Sequence, residues 1–367
     1  MKLLLLAGEE SGVMYAERIV EAVRGKDPSV EIRGYGDYGF KTSDLAVMGV
    51  GQVLKKIFYF LRVKRTMERA IDEWRPDVVC TVDYPGMNLK LAASAKRRGI
   101  RAVHVVCPQV WAWKKGRIPK IEASLDKLCC FFPFEPALFK PGFAEFVGHP
   151  LVDEMGRGGK GKREEGREEK SLAVLPGSRM GEIEKHLPIL LEVVKELQKS
   201  LCLRASVFKV VIPAANDRAY RVISSYVSRL KSSSLRVTHG GARAALRDAD
   251  AAIVASGTAT LEAALAGCPT VLVYKVGWLF AFLARRFIKG IRHIGLANVV
   301  AEKAGVACPM PELLQEDFTA GNILRYVSPW LEDPAANAAA RQSLAETMKL
   351  LKSDGGAIAR IVTCLGV

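Results

Sequence analysis

Five short segments of the sequence combine glycines, hydroxyls, carboxylates or cations directly after apolar runs. They span residues 8–12, 83–88, 107–117, 175–179 and 255–262. Glycines permit tight turns, and the free N–H groups at a helix start can bind phosphate. Because ligands of open parallel sheets bind beyond the carboxyl ends of the strands, these segments are the first candidates for a functional site.

The segment at 83–88 offers a candidate general base. Asp83 follows the apolar run VVCTV at 78–82, which predicts a buried strand. A carboxylate at a strand end can accept the proton of an attacking hydroxyl group. The alternative is a structural turn, since an Asp shortly before Pro85 is typical of turns and helix caps.

The segment at 175–179, LPGSR, suits a diphosphate. Its glycine turn presents Gly177, Ser178 and Arg179 just before a predicted helix. The helix start and the guanidinium could hold a pyrophosphate, and Arg179 could stabilise negative charge on a departing nucleotide. The LPGSR segment itself matches neither of the phosphate motifs GxGxxG and GxxxxGK[ST], and a plain turn remains the alternative.

The segment at 255–262, ASGTATLE, is a second candidate for phosphate and ribose. The small residues Ser256, Gly257 and Thr258 permit close approach of a phosphate. Glu262 could accept hydrogen bonds from a ribose, or it could be an ordinary exposed or capping residue.

The segment at 107–117 places two tryptophans beside several cations. Trp111, Trp113 and Arg117 suit a sugar ring, an acyl chain and a phosphate. Packing of both tryptophans into a core or an interface is the competing interpretation.

Apolar runs alternate with stretches of helical length, which predicts repeated strand–helix units and an α/β fold with doubly wound parallel sheets. A segment without apolar side chains, GRGGKGKREEGREEK at 156–170, predicts a linker. We therefore expect one domain at 1–155, a second at 171–332, and C-terminal helices at 333–367 that pack back on the body.

The length, net charge and cysteine content of the chain limit the kinds of protein it can be. The 367 residues are enough for about two domains, and the net charge of +15 favours polyanionic partners. The sequence has no nucleic-acid-binding signature, so we expect no nucleic acid partner. The eight cysteines lie mostly in apolar runs and predict reduced, buried thiols, and charges interrupt every apolar stretch before it is long enough to span a bilayer.

Aromatic residues lie among cations at 53–65, a composition typical of a helix at a membrane surface. The predicted membrane contacts are Ile57, Phe58, Phe60, Leu61 and Arg62. The segment 278–287 is a second candidate, and for either segment the alternative is a core or dimer helix with extended basic side chains.

Taken in this order, the segments resemble lipid-A-disaccharide synthase, a family with two facing Rossmann-like domains of the glycosyltransferase-B type. The resemblance covers residues from about 2 to 315. Its motifs are LAVMG at 45–49, VWAW at 110–113, FPFE at 132–135, GHP at 148–150, LPGSR at 175–179, ASGTA at 255–259 and PELLQ at 311–315.

The resemblance implies an inverting transfer of 2,3-diacylglucosamine from its UDP donor to 2,3-diacylglucosamine 1-phosphate. It implies no cofactor and no metal, a cytoplasmic location at the inner face of the cytoplasmic membrane, and contact with an anionic membrane surface; a homodimer is left open. The expected catalytic residues are Asp83 as base, Arg179 near the diphosphate, and Glu9. The expected substrate-binding residues are Ser11, Gly12, Asn88, Trp111, Trp113, Arg117, Gly177, Ser178, Ser256, Gly257, Thr258, Glu262 and Asn298.

The sequence departs from the family pattern at Val13, Gln52, Cys107, Gln109 and Lys275. Two alternatives stay open. One is a UDP-sugar 2-epimerase, an enzyme class of similar architecture that would act on a non-acylated substrate. The other, suggested by Val13 and Gln52, is a relative that binds lipid or UDP-sugar without catalysis.

Overall fold

The computed structural model describes residues 1–8, 10–41, 45, 57–112, 115–157, 169–202, 208–230, 232, 234–276 and 292–367. Several residues and segments that the sequence singled out lie outside these ranges: Glu9, Gln52, Trp113, 46–49, 53–56, the linker residues 158–168 and the segment 278–287. The chain divides into unit 1, Met1–Asp153 with Leu351–Val367, and unit 2, Glu154–Leu350.

Strands and helices alternate along the described chain. The strands are β1 (Lys2–Ala7), β2 (Glu31–Arg33), β3 (Val78–Val82), β4 (Arg101–Val105), β5 (Lys127–Cys130), β6 (Ala144–Phe146), β7 (Lys170–Leu175), β8 (Phe208–Ala214), β9 (Leu235–His239), β10 (Ala251–Ala255), β11 (Thr270–Tyr274) and β12 (Glu312–Leu314). The helices are α1 (Glu10–Lys26), α2 (Ile57–Trp74), α3 (Pro85–Arg97), α4 (Ile118–Ser124), α5 (Pro150–Arg157), α6 (Met180–Cys202), α7 (Asp217–Val227), α8 (Ala242–Asp248), α9 (Thr258–Leu265), α10 (Leu296–Ala304), α11 (Ala320–Glu332), α12 (Pro334–Lys349) and α13 (Ala357–Leu365).

The sheet of unit 1 has the strand order β2-β1-β3-β4-β5-β6, and all neighbouring strands are parallel. The side chains of β3 are buried on both faces, as expected for a parallel sheet covered by helices. After β2 the chain returns to the opposite side of β1 to form β3, so the direction of winding reverses there. Such a switch point creates a binding crevice at the carboxyl ends of β1 and β3.

Helices cover both faces of this sheet through apolar stripes of helical spacing. Helix α1 buries Tyr15, Ile19 and Val23, which follow one another at intervals of four residues. This stripe packs in one cluster with β1, β3 and the C-terminal helix α13. Helix α2 buries a similar stripe that includes Val63 and Met67 in a separate cluster. The two clusters fix the ends of β1 and β3 between α1 and α3.

The sheet of unit 2 has the order β12-β11-β10-β7-β8-β9, again with parallel neighbours. Its switch point lies between β7 and β10. The segments 175–179 and 255–262 follow these two strands, so the fold brings both predicted phosphate segments to one crevice. The predicted fold class, two Rossmann-like α/β domains, is confirmed. Among the described residues, no helix combines the length and apolar character needed to cross a bilayer.

Candidate functional site

Asp83 occupies a strained turn at the switch point of unit 1. Both Asp83 and Tyr84 adopt the left-handed backbone conformation, with φ of 51° and 52°. Such a conformation in a residue other than glycine costs about 1–3 kcal/mol and concentrates at functional sites. The ring of Tyr84 lies directly over Gly8, and any Cβ atom at position 8 would overlap it. The turn therefore depends on a glycine at the end of β1.

The side-chain amide of Asn88 holds this turn through hydrogen bonds to the backbone. Its Nδ2 donates to the carbonyl oxygens of Leu6 at 3.1 Å, Val82 at 3.1 Å and Asp83 at 2.8 Å. Its Oδ1 accepts the hydroxyl of Tyr35 at 2.8 Å, and Asn88 is fully buried. Asn88 thus joins the ends of β1 and β3 and uses its polar atoms within the protein.

The carboxyl group of Asp83 is partly buried beside the first turn of α1. Burial raises its pKa above the ordinary range, and the Tyr84 N–H group, which donates to Oδ1 at 2.8 Å, opposes that shift. A Cβ at Gly12 would lie 3.7 Å from the Cβ of Asp83 and 3.2 Å from the Val82 oxygen. The structure therefore brings Gly12, Asp83 and Asn88 together, with Ser11 half-buried next to Gly12.

The segment at 107–117 is anchored by a buried carboxyl group. Trp111 is half-buried, and its Nε1 donates to Oε1 of Glu135 at 3.1 Å. Oε2 of Glu135 accepts the Phe132 N–H at 3.1 Å, and burial raises the pKa of Glu135 to about 8. Arg117 is half-buried and Gln109 is exposed. The FPFE motif therefore positions the first tryptophan of the VWAW motif.

One group in the described part of the chain has ligand atoms close enough to hold a metal ion. The Sγ atoms of Cys107 and Cys130 and a carboxylate oxygen of Glu135 lie within 4.8 Å of one another, all buried. Both oxygens of Glu135 already accept hydrogen bonds from Trp111 and Phe132. The geometry is that of a hydrogen-bonded polar cluster beneath the tryptophan segment.

A pocket of about 400 Å³ lies at the switch point of unit 2. Its walls are formed by Leu175, Gly177, Ser178, Arg179, Glu182, 213–215, 240–242 and 255–259. The last group includes Ser256, Gly257 and Thr258, which open α9. Because α6 and α9 both begin at this pocket, their free N–H groups favour an anion there.

Two contacts shape the wall made by the LPGSR segment. Gly177 has φ of +117°, and a Cβ at this position would lie 2.8 Å from Oε2 of Glu182. Arg179, directly before α6, donates from Nη1 to Oε1 of Glu182 at 3.0 Å. The glycine thus permits both the turn and the close approach of Glu182.

Sequence reasoning missed a histidine that holds this segment. His186 is buried in α6; its Nδ1 lies 2.8 Å from the Pro176 oxygen, and its Nε2 accepts the Lys275 N–H at 3.1 Å. Burial lowers the pKa of His186, so the neutral imidazole bridges the ends of β7 and β11. A polar residue on the apolar face of α6 was the one available signal.

Sequence reasoning also missed the partner of Glu262. Arg243 donates from Nε to Oε1 of Glu262 at 2.8 Å and from Nη1 to Oε2 of Glu154 at 2.7 Å. Glu262 is thus held in an ion-pair network one turn into α9. Glu154 and Glu262 are far from Arg243 in sequence, so no local pattern indicates this network.

Asn298, in α10, is fully buried like Asn88. Its Nδ2 donates to the Met310 oxygen at 2.7 Å and to Oε1 of Glu312 at 2.8 Å, and its Oδ1 accepts the Met310 N–H at 3.0 Å. The amide therefore ties α10 to the strand β12.

Helix α2 exposes large apolar side chains beside cations. Phe58 is 82% exposed, Ile57 44% and Leu61 42%. Arg62 is also exposed, whereas Phe60 is half-buried and packs against the core of unit 1.

Comparison with known proteins identifies the family. The family model for lipid-A-disaccharide synthetase matches residues 3–356. The lipid-A-disaccharide synthase of Syntrophus aciditrophicus is 33% identical, over 96% of this chain and 94% of the relative. The lipid-A-disaccharide synthase of Neisseria meningitidis is 34% identical, over 95% of this chain and 93% of the relative.

Solved structures of similar fold include a UDP-GlcNAc 2-epimerase of Neisseria meningitidis, with a TM-score of 0.62 at 13% identity, covering 100% of this chain and 99% of that one. A calicheamicin glycosyltransferase has a TM-score of 0.60 at 15% identity, covering 100% and 97%. At these identities the likeness shows the fold alone, and the curated relatives favour the synthase over the epimerase alternative. The chain therefore belongs to the lipid-A-disaccharide synthase family of glycosyltransferases.

Proposed function

We propose that this protein transfers a 2,3-diacylglucosamine unit from UDP-2,3-diacylglucosamine to the 6-hydroxyl group of 2,3-diacylglucosamine 1-phosphate. The products are a β-1,6-linked disaccharide 1-phosphate and UDP. Family membership over nearly the whole chain is the observation that carries this proposal.

On the donor side, the diphosphate of UDP occupies the pocket of unit 2. The starts of α6 and α9 supply free N–H groups, and Gly177, Ser178 and Ser256–Thr258 allow the phosphates to approach the backbone. Arg179 adds a cation at the same pocket, where it stabilises charge on the departing UDP. Glu262, oriented by Arg243, is assigned to the ribose of the donor.

On the acceptor side, Asp83 is assigned as the general base. As the acceptor oxygen forms its bond to C1 of the donor sugar, the hydroxyl proton passes to the Asp83 carboxylate. The bond from C1 to the UDP oxygen breaks, and its electron pair leaves with UDP. Partial burial raises the pKa of Asp83, which makes the carboxylate a stronger base than an exposed one.

The remaining site residues support this reaction in two ways. Asn88 and Asn298 are buried and bonded within the protein, so we assign them to positioning rather than to direct contact with substrate. Ser11 and Gly12, which lie near Asp83, are assigned to the acceptor side. Glu9, which is outside the described residues, is assigned to the same side by the family resemblance. The tryptophans 111 and 113 and Arg117 are assigned to the acylated sugar and its phosphate.

Helix α2 is assigned to an anionic membrane surface at the inner face of the cytoplasmic membrane. Its exposed Ile57, Phe58 and Leu61 can enter the acyl boundary while Arg62 and Arg65 contact lipid phosphates. Both lipid substrates would reach the enzyme from that surface.

The test is a reconstituted reaction. Purified protein with UDP-2,3-diacylglucosamine and 2,3-diacylglucosamine 1-phosphate should release UDP and form a disaccharide of the expected mass. Turnover of UDP-N-acetylglucosamine without an acceptor would instead support an epimerase. UDP binding without turnover of any acylated acceptor would support a non-catalytic relative.

A further inference from the structure

A cysteine, a histidine and a glutamate are neighbours in unit 2, and the cysteine of this group is exposed. Cys308 is exposed, and its Sγ lies 3.3 Å from Nε2 of His293. Nδ1 of the same imidazole lies 3.6 Å from Oε1 of Glu312. His293 precedes α10, Cys308 follows it, and Glu312 opens β12. A thiol, a base and a carboxylate that orients the base form the arrangement that activates nucleophilic side chains in proteins.

The carboxylate of Glu312 is held firmly. Oε2 accepts the Ile294 N–H at 2.9 Å, and Oε1 accepts the Gly295 N–H at 3.0 Å and Nδ2 of Asn298 at 2.8 Å. A Cβ at Gly295 would lie 3.2 Å from Oε1, so glycine permits this approach. The fixed carboxylate favours a proton on Nδ1 of His293, which leaves the lone pair of Nε2 directed toward the thiol.

Charges around the thiol determine how it ionises. Partial burial raises the pKa of Cys308, and Glu302 and Glu312 raise it further. Arg292 lies 3.9 Å from Glu302 and partly offsets that carboxylate. At neutral pH the thiol is therefore protonated, and the thiolate forms only when the proton moves to Nε2 of His293.

We propose that Cys308 is a base-activated modification site that takes low-molecular-weight disulfides. The Cys308 proton passes to His293, and the sulfur attacks one sulfur of the disulfide. A new S–S bond forms to Cys308 while the original S–S bond breaks, and the departing thiolate takes the proton from the imidazolium. Cys308 is oxidised, one half of the disulfide is reduced, and the reverse exchange restores the thiol.

Accessibility makes the modification selective. Among the cysteines whose side chains the structure describes, Cys308 is exposed and the others are buried: Cys80, Cys107, Cys129, Cys130, Cys268 and Cys364. A small disulfide can reach Cys308 without unfolding of the protein. Its Sγ also lies 3.7 Å from the backbone oxygen of Asn298, in α10.

The experiment measures glutathionylation of the full-length protein by oxidised glutathione. The rate at Cys308 is followed by mass spectrometry of its peptide from pH 6 to pH 9.5. At pH 7 the variant His293→Asn should react at least about tenfold more slowly than wild type, and the two rates should converge at high pH. The control His239→Asn removes an exposed imidazole beside Asp217 and should leave the rate unchanged.

Equal rates for wild type and His293→Asn over the whole pH range would overturn the assignment. If that variant does not fold, the dependence of the wild-type reaction rate on pH tests the proposal. A free thiol loses about tenfold in rate for each pH unit below its pKa. The reaction rate of a base-activated thiol should fall less steeply than this between pH 8 and pH 6.5. A tenfold decline in the rate for each pH unit down to pH 6 would exclude activation by His293.

Discussion

Replacing Asn88 with alanine tests how the turn at Asp83 is held. The substitution removes the hydrogen bonds that the two Nδ2 hydrogens share among the oxygens of Leu6, Val82 and Asp83, and a fourth bond, which the buried Tyr35 hydroxyl donates to Oδ1. Each such hydrogen bond contributes about 1 kcal/mol net, and a buried group left without a partner costs about 1–3 kcal/mol. Allowing for water that enters the space, we expect the free energy of unfolding to fall by roughly 2–4 kcal/mol.

The same substitution should affect turnover more than stability alone explains. Asp83 and Tyr84 are strained by about 1–3 kcal/mol each, and the bond from Asn88 to the Asp83 oxygen helps to hold them. Without it, the carboxylate shifts from its working position, and a displacement of about 1 Å can cost about 100-fold in rate. We therefore expect kcat to fall about 10- to 100-fold in protein that is still folded.

Urea unfolding followed by circular dichroism measures the free energy of unfolding, and the enzymatic assay at 20 °C measures kcat. Tyr35→Phe removes one of the four bonds and should cost about 1–2 kcal/mol. Asn322→Ala, which removes a single exposed hydrogen bond from Nδ2 to the Asp317 oxygen in unit 2, is the matched control; it should lower the free energy of unfolding by about 1 kcal/mol or less and leave kcat unchanged. If Asn88→Ala loses less than about 0.5 kcal/mol and keeps its full kcat, the positioning role of Asn88 is refuted.

Three further predictions concern the acidic side of the pH–rate profile, the donor pocket and the membrane surface. Turnover should decline with falling pH through the raised pKa of Asp83, since the protonated carboxyl cannot accept a proton; a midpoint at or below about pH 4, that of an exposed Asp, would contradict this. Gly177→Ala forces a side chain to φ of +117° and should raise the donor KM about tenfold with the acceptor KM unchanged, and an unaltered donor KM would argue against the pocket. The double variant Phe58→Ser, Leu61→Ser should bind anionic vesicles about tenfold or more weakly than wild type in a co-sedimentation assay. The control Tyr326→Ser, at another exposed aromatic residue, should bind like wild type. Vesicle binding by the double variant that equals that of wild type would contradict the assignment of α2 to the membrane surface.

The sequence was sufficient to predict the strand ends that carry the site. The apolar runs at 2–7, 251–255 and 270–274 coincide with β1, β10 and β11, because buried parallel strands need continuous apolar residues. The position of Asp83 directly after β3 follows from the same rule. The resemblance to the synthase family, carried by the motifs at these ends, was confirmed by the comparisons.

The supporting contacts could not be predicted, because they join residues distant in sequence. His186 meets Lys275 and Arg243 meets Glu154 across 89 positions each, so no local spacing encodes either pair. The pKa of Asp83 depends on burial by neighbouring elements, which the sequence does not specify. Asn88 was predicted to bind substrate, and the orientation of its amide into the protein required three-dimensional packing.

The most direct measurement of the central claim is turnover by Asp83→Asn in the reconstituted reaction with both acylated substrates. The amide keeps the size of the side chain but cannot take a proton from the acceptor hydroxyl. We predict a loss of about 10²- to 10⁴-fold in kcat with little change in donor KM, and full activity in the control Asp354→Asn, an exposed carboxylate. Formation of the disaccharide by Asp83→Asn at the wild-type rate would contradict the assignment of Asp83 as the base.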